Sequence, residues 1–167
     1  MVIHQIFISS EHNFVGHHGE EPGNSPLIER QRIDCVAGKG LAGDRYFNHR
    51  EDYKGQITFF SAEVFEKLCA NFGINDKSIG VLRRNVIVSD IDLLSLIGCD
   101  FEIQGVKFHG TQHCAPCEWM DVAFAPGAKE FLKTNAGLRA KILTDGSISV
   151  GEARLVIHEI ANAAPLP

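Results

Sequence analysis

Short apolar runs, each cut off by glycine, proline or a polar turn, recur along almost the whole chain, and this interrupted rhythm constrains the fold most. A few residues suffice to cross a sheet, whereas a packed helix needs a longer stretch of 3.6-residue period, so the chain has room for many strands and few helices. Residues 2–9 open the series with isoleucine and phenylalanine in strand-like alternation. Residues 11–26 hold Gly16, Gly19, Gly23, Pro22 and Pro26 without a hydrophobic period and read as a loop. Residues 27–36 predict one strand, and residues 37–44, with Gly38, Gly40 and Gly43, a turn where backbone approaches something closely. Residues 56–60 predict a strand feeding a helix over about 62–71, with Ser61 as its cap and Gly73 past its end. Residues 85–88 predict a strand, residues 101–103 and 106–108 a hairpin across Gln104-Gly105, and residues 128–133 a second short helix. Residues 138–143 and 147–150 flank Thr144-Asp145-Gly146, a strong hairpin signal, and residues 154–157 add a last strand. Six or more short strands with few helices favour a mainly β barrel or curled mixed sheet over a doubly wound α/β fold. Residues 161–167 read as a disordered tail.

With 167 residues and 44% hydrophobic content, the chain is expected to be a single domain, residues 1–167, around one continuous core. The net charge of -5 offers no diffuse basic surface, which argues against nucleic acid as a partner and requires any anion site to be a local arginine cluster. Residues 1–10 lack a basic segment followed by an apolar core, and no run reaches the ~18 apolar residues that span a bilayer, so the expectation is a cytoplasmic protein without a membrane partner. Five cysteines, an odd number without secretory context, point to reduced thiols. Of Cys35, Cys69, Cys99, Cys114 and Cys117, Cys69 and Cys99 lie among apolar neighbours and are expected in the core.

Chemistry concentrates in His109-Gly110-Thr111-Gln112-His113-Cys114-Ala115-Pro116-Cys117. Thiolates are soft ligands and nucleophiles, and Cys114 and Cys117 are spaced to share a metal or exchange sulfur. They are also half of a zinc site, for which His109 and His113 are the nearest further ligands. A non-enzymatic zinc or other metal-binding module built from these four stays open, as do two unreactive thiols beside a turn. A thioredoxin-type site would need a long helix after the pair, and residues 118–126 are too short for one. Arg45, Arg83, Arg84 and Arg139 would recognise a phosphate or carboxylate if they converged, and are ordinary surface residues if they do not. Asp44 is a candidate salt-bridge or turn residue beside Arg45. The glycines of residues 38–43 fail the dinucleotide and P-loop patterns. His12, His17 and His18 form a histidine-rich loop that either binds a metal or is simply solvated, while His4, His49 and His158 are scattered. Hydrolase signatures such as H-E-x-x-H are absent.

Taken in order, Gly40-Leu41-Ala42-Gly43-Asp44-Arg45, Gln56-Ile57-Thr58, Glu63, Arg83-Arg84-Asn85, Pro116-Cys117 and Gly137-Leu138-Arg139 resemble the MOSC (molybdenum cofactor sulfurase C-terminal) domain family, in its short stand-alone bacterial form, over about residues 27–151. The resemblance implies a β-barrel related to that of pyruvate kinase, with a pocket whose cysteine handles molybdenum or sulfur. It assigns Cys117 as metal ligand or persulfide carrier and Cys114 as the second candidate. It also implies that Arg45, Arg83, Arg84 and Arg139, with Asn85 and Thr111, hold the phosphate of a molybdopterin-type molybdenum cofactor. Gly151-Glu152 departs from the Gly-Asp of many relatives, and neither a pyridoxal-phosphate-dependent desulfurase domain nor the N-terminal barrel of longer relatives is expected here. The chain would then take sulfur or cofactor from a cysteine-desulfurase-type donor or a cofactor-delivery protein, or work as a small molybdenum-dependent reductase of N-hydroxylated compounds.

Overall fold

The computed structural model describes residues 1–13 and 23–158. The expected tail, together with His17 and His18, lies outside them. The strands are β1 (Val2–Ile8), β2 (Ile28–Arg30), β3 (Arg32–Val36), β4 (Gly40–Leu41), β5 (Ile57–Ser61), β6 (Val86–Ser89), β7 (Asp100–Ile103), β8 (Val106–His113), β9 (Leu138–Ile142), β10 (Gly146–Ser149), β11 (Gly151–Glu152) and β12 (Leu155–His158). The helices are α1 (Ala62–Phe72), α2 (Trp119–Ala123) and α3 (Ala128–Phe131), with 3-10 turns at Ile79–Leu82 and Leu94–Leu96. The fold is therefore mainly β with short helices, as expected. No described helix is long and apolar enough to cross a membrane.

The larger sheet has nine strands in the order β11-β1-β6-β5-β9-β8-β7-β12, with β2 also on β1, and the smaller has the order β10-β3-β4. Hydrogen bonds do not close the larger sheet, whose path runs from β11 to β12. Its pairings are antiparallel except β5 with β6, which α1 connects as a crossover. That helix forms where the sequence predicts it: the Ser61 hydroxyl oxygen accepts from Val64 N at 3.1 Å, and Gly73, at φ 65°, ends it in the left-handed region.

Neighbouring residues on the central strands point to opposite faces, as strand geometry requires, and both faces are buried. Ile6, Phe59 and Val86 join one apolar cluster with Phe101 and Phe108. Phe7, Phe60 and Ile87 join the other, which α1 and α2 cover with Val64, Leu68 and Met120.

Three expectations need correction. Residues 27–36 break at Gln31 into β2, which pairs with β1, and β3, which belongs to the smaller sheet. The burial pattern shows why: β2 is exposed throughout, whereas β3 alternates and buries Ile33 and Cys35. The Asp-Gly hairpin does not form, because β9 pairs with β5 and β8 while β10 pairs with β3. Asp145 Oδ1 instead accepts from Ala37 N at 2.7 Å, so its carboxylate ties two distant segments rather than closing a local turn. Cys69 and Cys99 are only partly buried, whereas Cys35 and Cys114 lie in the interior. Desolvation, helped by Asp34, pushes the Cys35 thiol up to about 12.

Candidate functional site

Arg45 lies within a pair of tight turns after β4, in which Asp44 N donates to Leu41 O and Phe47 N to Asp44 O. Its own N–H donates to Ser9 O at 2.7 Å, which docks it at the end of β1. Gly40 permits this packing: its φ is 121°, and a Cβ there would stand 3.2 Å from Gln56 O. Arg83 ends the Ile79–Leu82 turn in the left-handed region, at φ 54°, an uncommon conformation for a residue with a side chain. The kink lets consecutive Arg83 and Arg84 line the same cleft, which extended backbone would forbid. Arg139 comes from β9, opposite Thr58 and Gln112. Cys117 lies between β8 and α2.

These residues meet. Arg45, Arg83, Arg84, Arg139 and Cys117 line one cleft of about 130 Å³, with His12, Tyr46 and Trp119 in its walls. No Asp or Glu is among its described lining residues. Cys117 is exposed, while Cys114 is 2% exposed. The counter-charge is set back from the cleft: Asp44, 6% exposed, accepts from Ser9 N, Asn85 Nδ2 and Arg45 Nη1 at Oδ1 and from Tyr46 N at Oδ2.

The arginines are held differently. Arg45 pairs with Asp44 at 3.4 Å, donates to Arg83 O at 3.3 Å, and stands 4.9 Å from the Tyr46 ring centroid. Arg83 donates through Nη2 to Ser9 Oγ and Glu11 O, both at 2.8 Å, and through Nη1 to Ser25 O at 3.5 Å. Burial and the neighbouring Arg45 push Arg83 down to about 10, still far above neutrality. Arg84 donates to three main-chain carbonyls, Ala136 O at 3.1 Å and Leu82 O and Cys114 O at 3.2 Å, and so clamps the segment before Cys117. Burial pulls Arg139 down, but the neighbouring Cys114, Tyr53 and Tyr46 outweigh it and leave the guanidinium above its ordinary value.

Two histidines register the positive field. Burial and then Arg45 and Arg83 lower His12, and burial and then Arg84 and Arg139 lower His113. His113 Nε2 accepts from Ala136 N at 2.8 Å, which fixes a neutral ring with its proton on Nδ1.

Two expected cofactor residues lie elsewhere. Asn85 is buried behind the cleft: its Oδ1 accepts from Thr58 N and Thr58 Oγ1, and its Nδ2 donates to Phe7 O and Asp44 Oδ1. Thr111 Oγ1 lies 2.7 Å from Lys54 O and 2.9 Å from Arg139 O, at the register shift of β8 against β9, so it supports the Arg139 backbone. Glu63, another motif residue, also works structurally, since its Oε1 accepts from Asp90 N at 2.8 Å.

The zinc arrangement does not assemble. Among the described residues no three His, Cys, Asp or Glu side chains form a metal-ligand set. Cys114 is interior, His113 Nε2 is occupied, and His109 Nδ1 stands 2.6 Å from Asp100 Oδ1. Sequence reasoning missed His12, Tyr46 and Trp119 as cleft residues. Tyr46 directly follows a motif arginine and Trp119 stands two residues past Cys117, so adjacency was the available signal.

The architecture has solved counterparts. The YuaD protein from Bacillus subtilis superposes with a TM-score of 0.74 at 18% identity, over 94% of this chain and 96% of that one. YiiM from Geobacillus stearothermophilus has a TM-score of 0.64 at 14% identity, covering 93% of this chain and 73% of its own. YiiM from Escherichia coli gives 0.64 at 13%, covering 98% and 72%. At such identities the likeness speaks for the fold. No curated protein matches the sequence. The MOSC domain profile matches residues 17–153, which takes in the glycine-rich turn, the cleft arginines and Cys117, and the chain belongs to the MOSC domain family.

Proposed function

We propose that this chain binds an anionic molybdenum cofactor of the molybdopterin type, or carries a transferable sulfur, at Cys117. One observation supports the reading above all others: Arg45, Arg83, Arg84 and Arg139 converge with the exposed Cys117 around a cleft that no described carboxylate lines. The donor set suits such a group, because guanidinium forks match phosphate oxygens and a thiolate is a soft metal ligand. When bound, the cofactor would supply the redox chemistry of its metal.

The protein's own part divides among its residues. Arg45, Arg83 and Arg139 are the anion-binding candidates, Arg83 while also donating to Ser9 Oγ, Glu11 O and Ser25 O, and Arg84 adds charge and, through Cys114 O, positions the cysteine loop. Asp44, behind the wall, orients Arg45 without presenting a negative surface to the ligand. In the sulfur-carrier reading, the Cys117 thiolate attacks the outer sulfur of a donor persulfide. The donor's S–S bond breaks, its electron pair stays on the donor thiolate, and Cys117 keeps the outer sulfur. The donor would be of cysteine-desulfurase type, or a delivery protein would bring the cofactor. The five free cysteines agree with a reducing compartment such as the cytoplasm. A small molybdenum-dependent reductase of N-hydroxylated compounds is the finest form of this reading.

Elemental analysis and pterin fluorescence of protein purified from molybdopterin-producing cells test it. Molybdenum with pterin is expected for the native chain and loss of both for Cys117→Ser, whose circular dichroism stays native. Stoichiometric zinc without pterin, or normal loading of Cys117→Ser, overturns it. For the sulfur-carrier form, intact-mass spectrometry after exposure to a persulfide donor should show one added sulfur, absent in Cys117→Ser.

A further inference from the structure

A second cleft, of about 270 Å³, adjoins the arginine-lined one and shares Asn13, Arg83 and Trp119 with it. Its chemistry differs. Leu27, Val81 and Ala123 supply hydrocarbon, and Arg83 is the one charged side chain among its described lining residues. Trp119 donates from Nε1 to Val81 O at 2.7 Å, which holds the indole in place between the two spaces. Asn13 donates through Nδ2 to Ser25 O at 3.0 Å, yet among the described residues nothing donates to its buried Oδ1. A buried acceptor left open is costly unless something donates to it.

We infer that the second cleft is a subsite for the hydrocarbon body of a small amphipathic anion, whose charged group lies against Arg83 at the junction with the Cys117 cleft. This rests on reading the Cys117 cleft as an anion site and goes further by naming the class of ligand. Charge complementarity selects that class: a neutral apolar molecule would leave Arg83 without an anion, and a bare oxyanion would leave the apolar walls wet. The space is ample for an aromatic ring, since a cavity of about 150 Å³ accepts benzene. A ligand N–H or O–H reaching Asn13 Oδ1 would also satisfy the open acceptor.

The molecule carries its own reporter, because Trp119 is the single tryptophan and lines both clefts. The test titrates the full chain with inorganic phosphate and with phenyl phosphate, following Trp119 emission and confirming each by calorimetry. Phenyl phosphate should bind about tenfold tighter or more, the gain expected for burying one ring. Ala123→Phe, which fills the apolar cleft, should erase that gain and leave phosphate binding as it was. Equal affinity of the two ligands for the native chain overturns the inference while leaving the anion cleft standing. Binding of neither overturns both. A preference for phenyl phosphate that survives Ala123→Phe also overturns it, and the native-chain comparison decides the matter even where the variant is unstable.

Discussion

Replacing Arg84 by lysine keeps the charge and removes the fork, and the structure predicts that the charge alone will not suffice. The guanidinium donates to Leu82 O, Ala136 O and Cys114 O at 3.1 to 3.2 Å, three carbonyls in separate directions. A single ammonium on a flexible stem serves one of them well. Hydrogen bonds from a charged donor contribute about 1.5 to 3 kcal/mol each, and these groups are partly exposed, so water recovers a share of the two that are lost. The net cost is about 2 to 3 kcal/mol, or roughly 5 to 10 °C in Tm for a chain of this size. Urea unfolding measures it directly. A second readout separates a loosened cysteine loop from general weakening: with its carbonyl released, Cys114 should react with an aromatic disulfide reagent under native conditions, where now, as an interior thiol, it is expected to be protected. A loss below about 0.5 kcal/mol with Cys114 still protected would refute the clamp.

Asn85→Ala should cost about 3 to 5 kcal/mol in urea unfolding, because it strands Thr58 N, Phe7 O and one acceptor site of Asp44 in the interior; a cost near 1 kcal/mol would show that water enters in its place. Gly137→Ala should unfold the chain or lower its Tm sharply, since φ is 98° and a Cβ would collide with the Phe59 carbonyl oxygen; a native melting curve would contradict the close approach of β9 to β5. His113 is lowered from 6.5 by burial, Arg84 and Arg139, so the unfolded chain takes up the proton more readily. Its contribution is therefore whole above pH 6.5 and is lost as pH falls below that value through the folded one, and His113→Gln should flatten the stability profile there. Identical profiles for the two proteins would remove His113 from the account.

How far the sequence could be read depended on the range of the interaction responsible. The α1 cap, its glycine stop and the β7–β8 hairpin are local, and they stand where residues 61, 73 and 104–105 placed them. The partner of β10 is β3, far back in the chain, and no turn residue signals that pairing, so the Asp-Gly dipeptide misled. The convergence of the arginines with Cys117 was legible through the order of the family motifs, not through spacing. The same motifs mix two kinds of residue that sequence alone does not separate: Arg45 and Arg83 border the cleft, while Asn85 and Glu63 knit the structure behind it.

Setting the Asp44 carboxylate behind the arginines has a consequence for how an anion travels. Seen from afar, the molecule is net negative and turns anions away; within about one Debye length, roughly 8 to 10 Å at ordinary salt, the nearby guanidinium groups dominate and draw them in. Added salt therefore eases the distant approach and weakens the final grip, so association and residence respond to ionic strength with opposite signs.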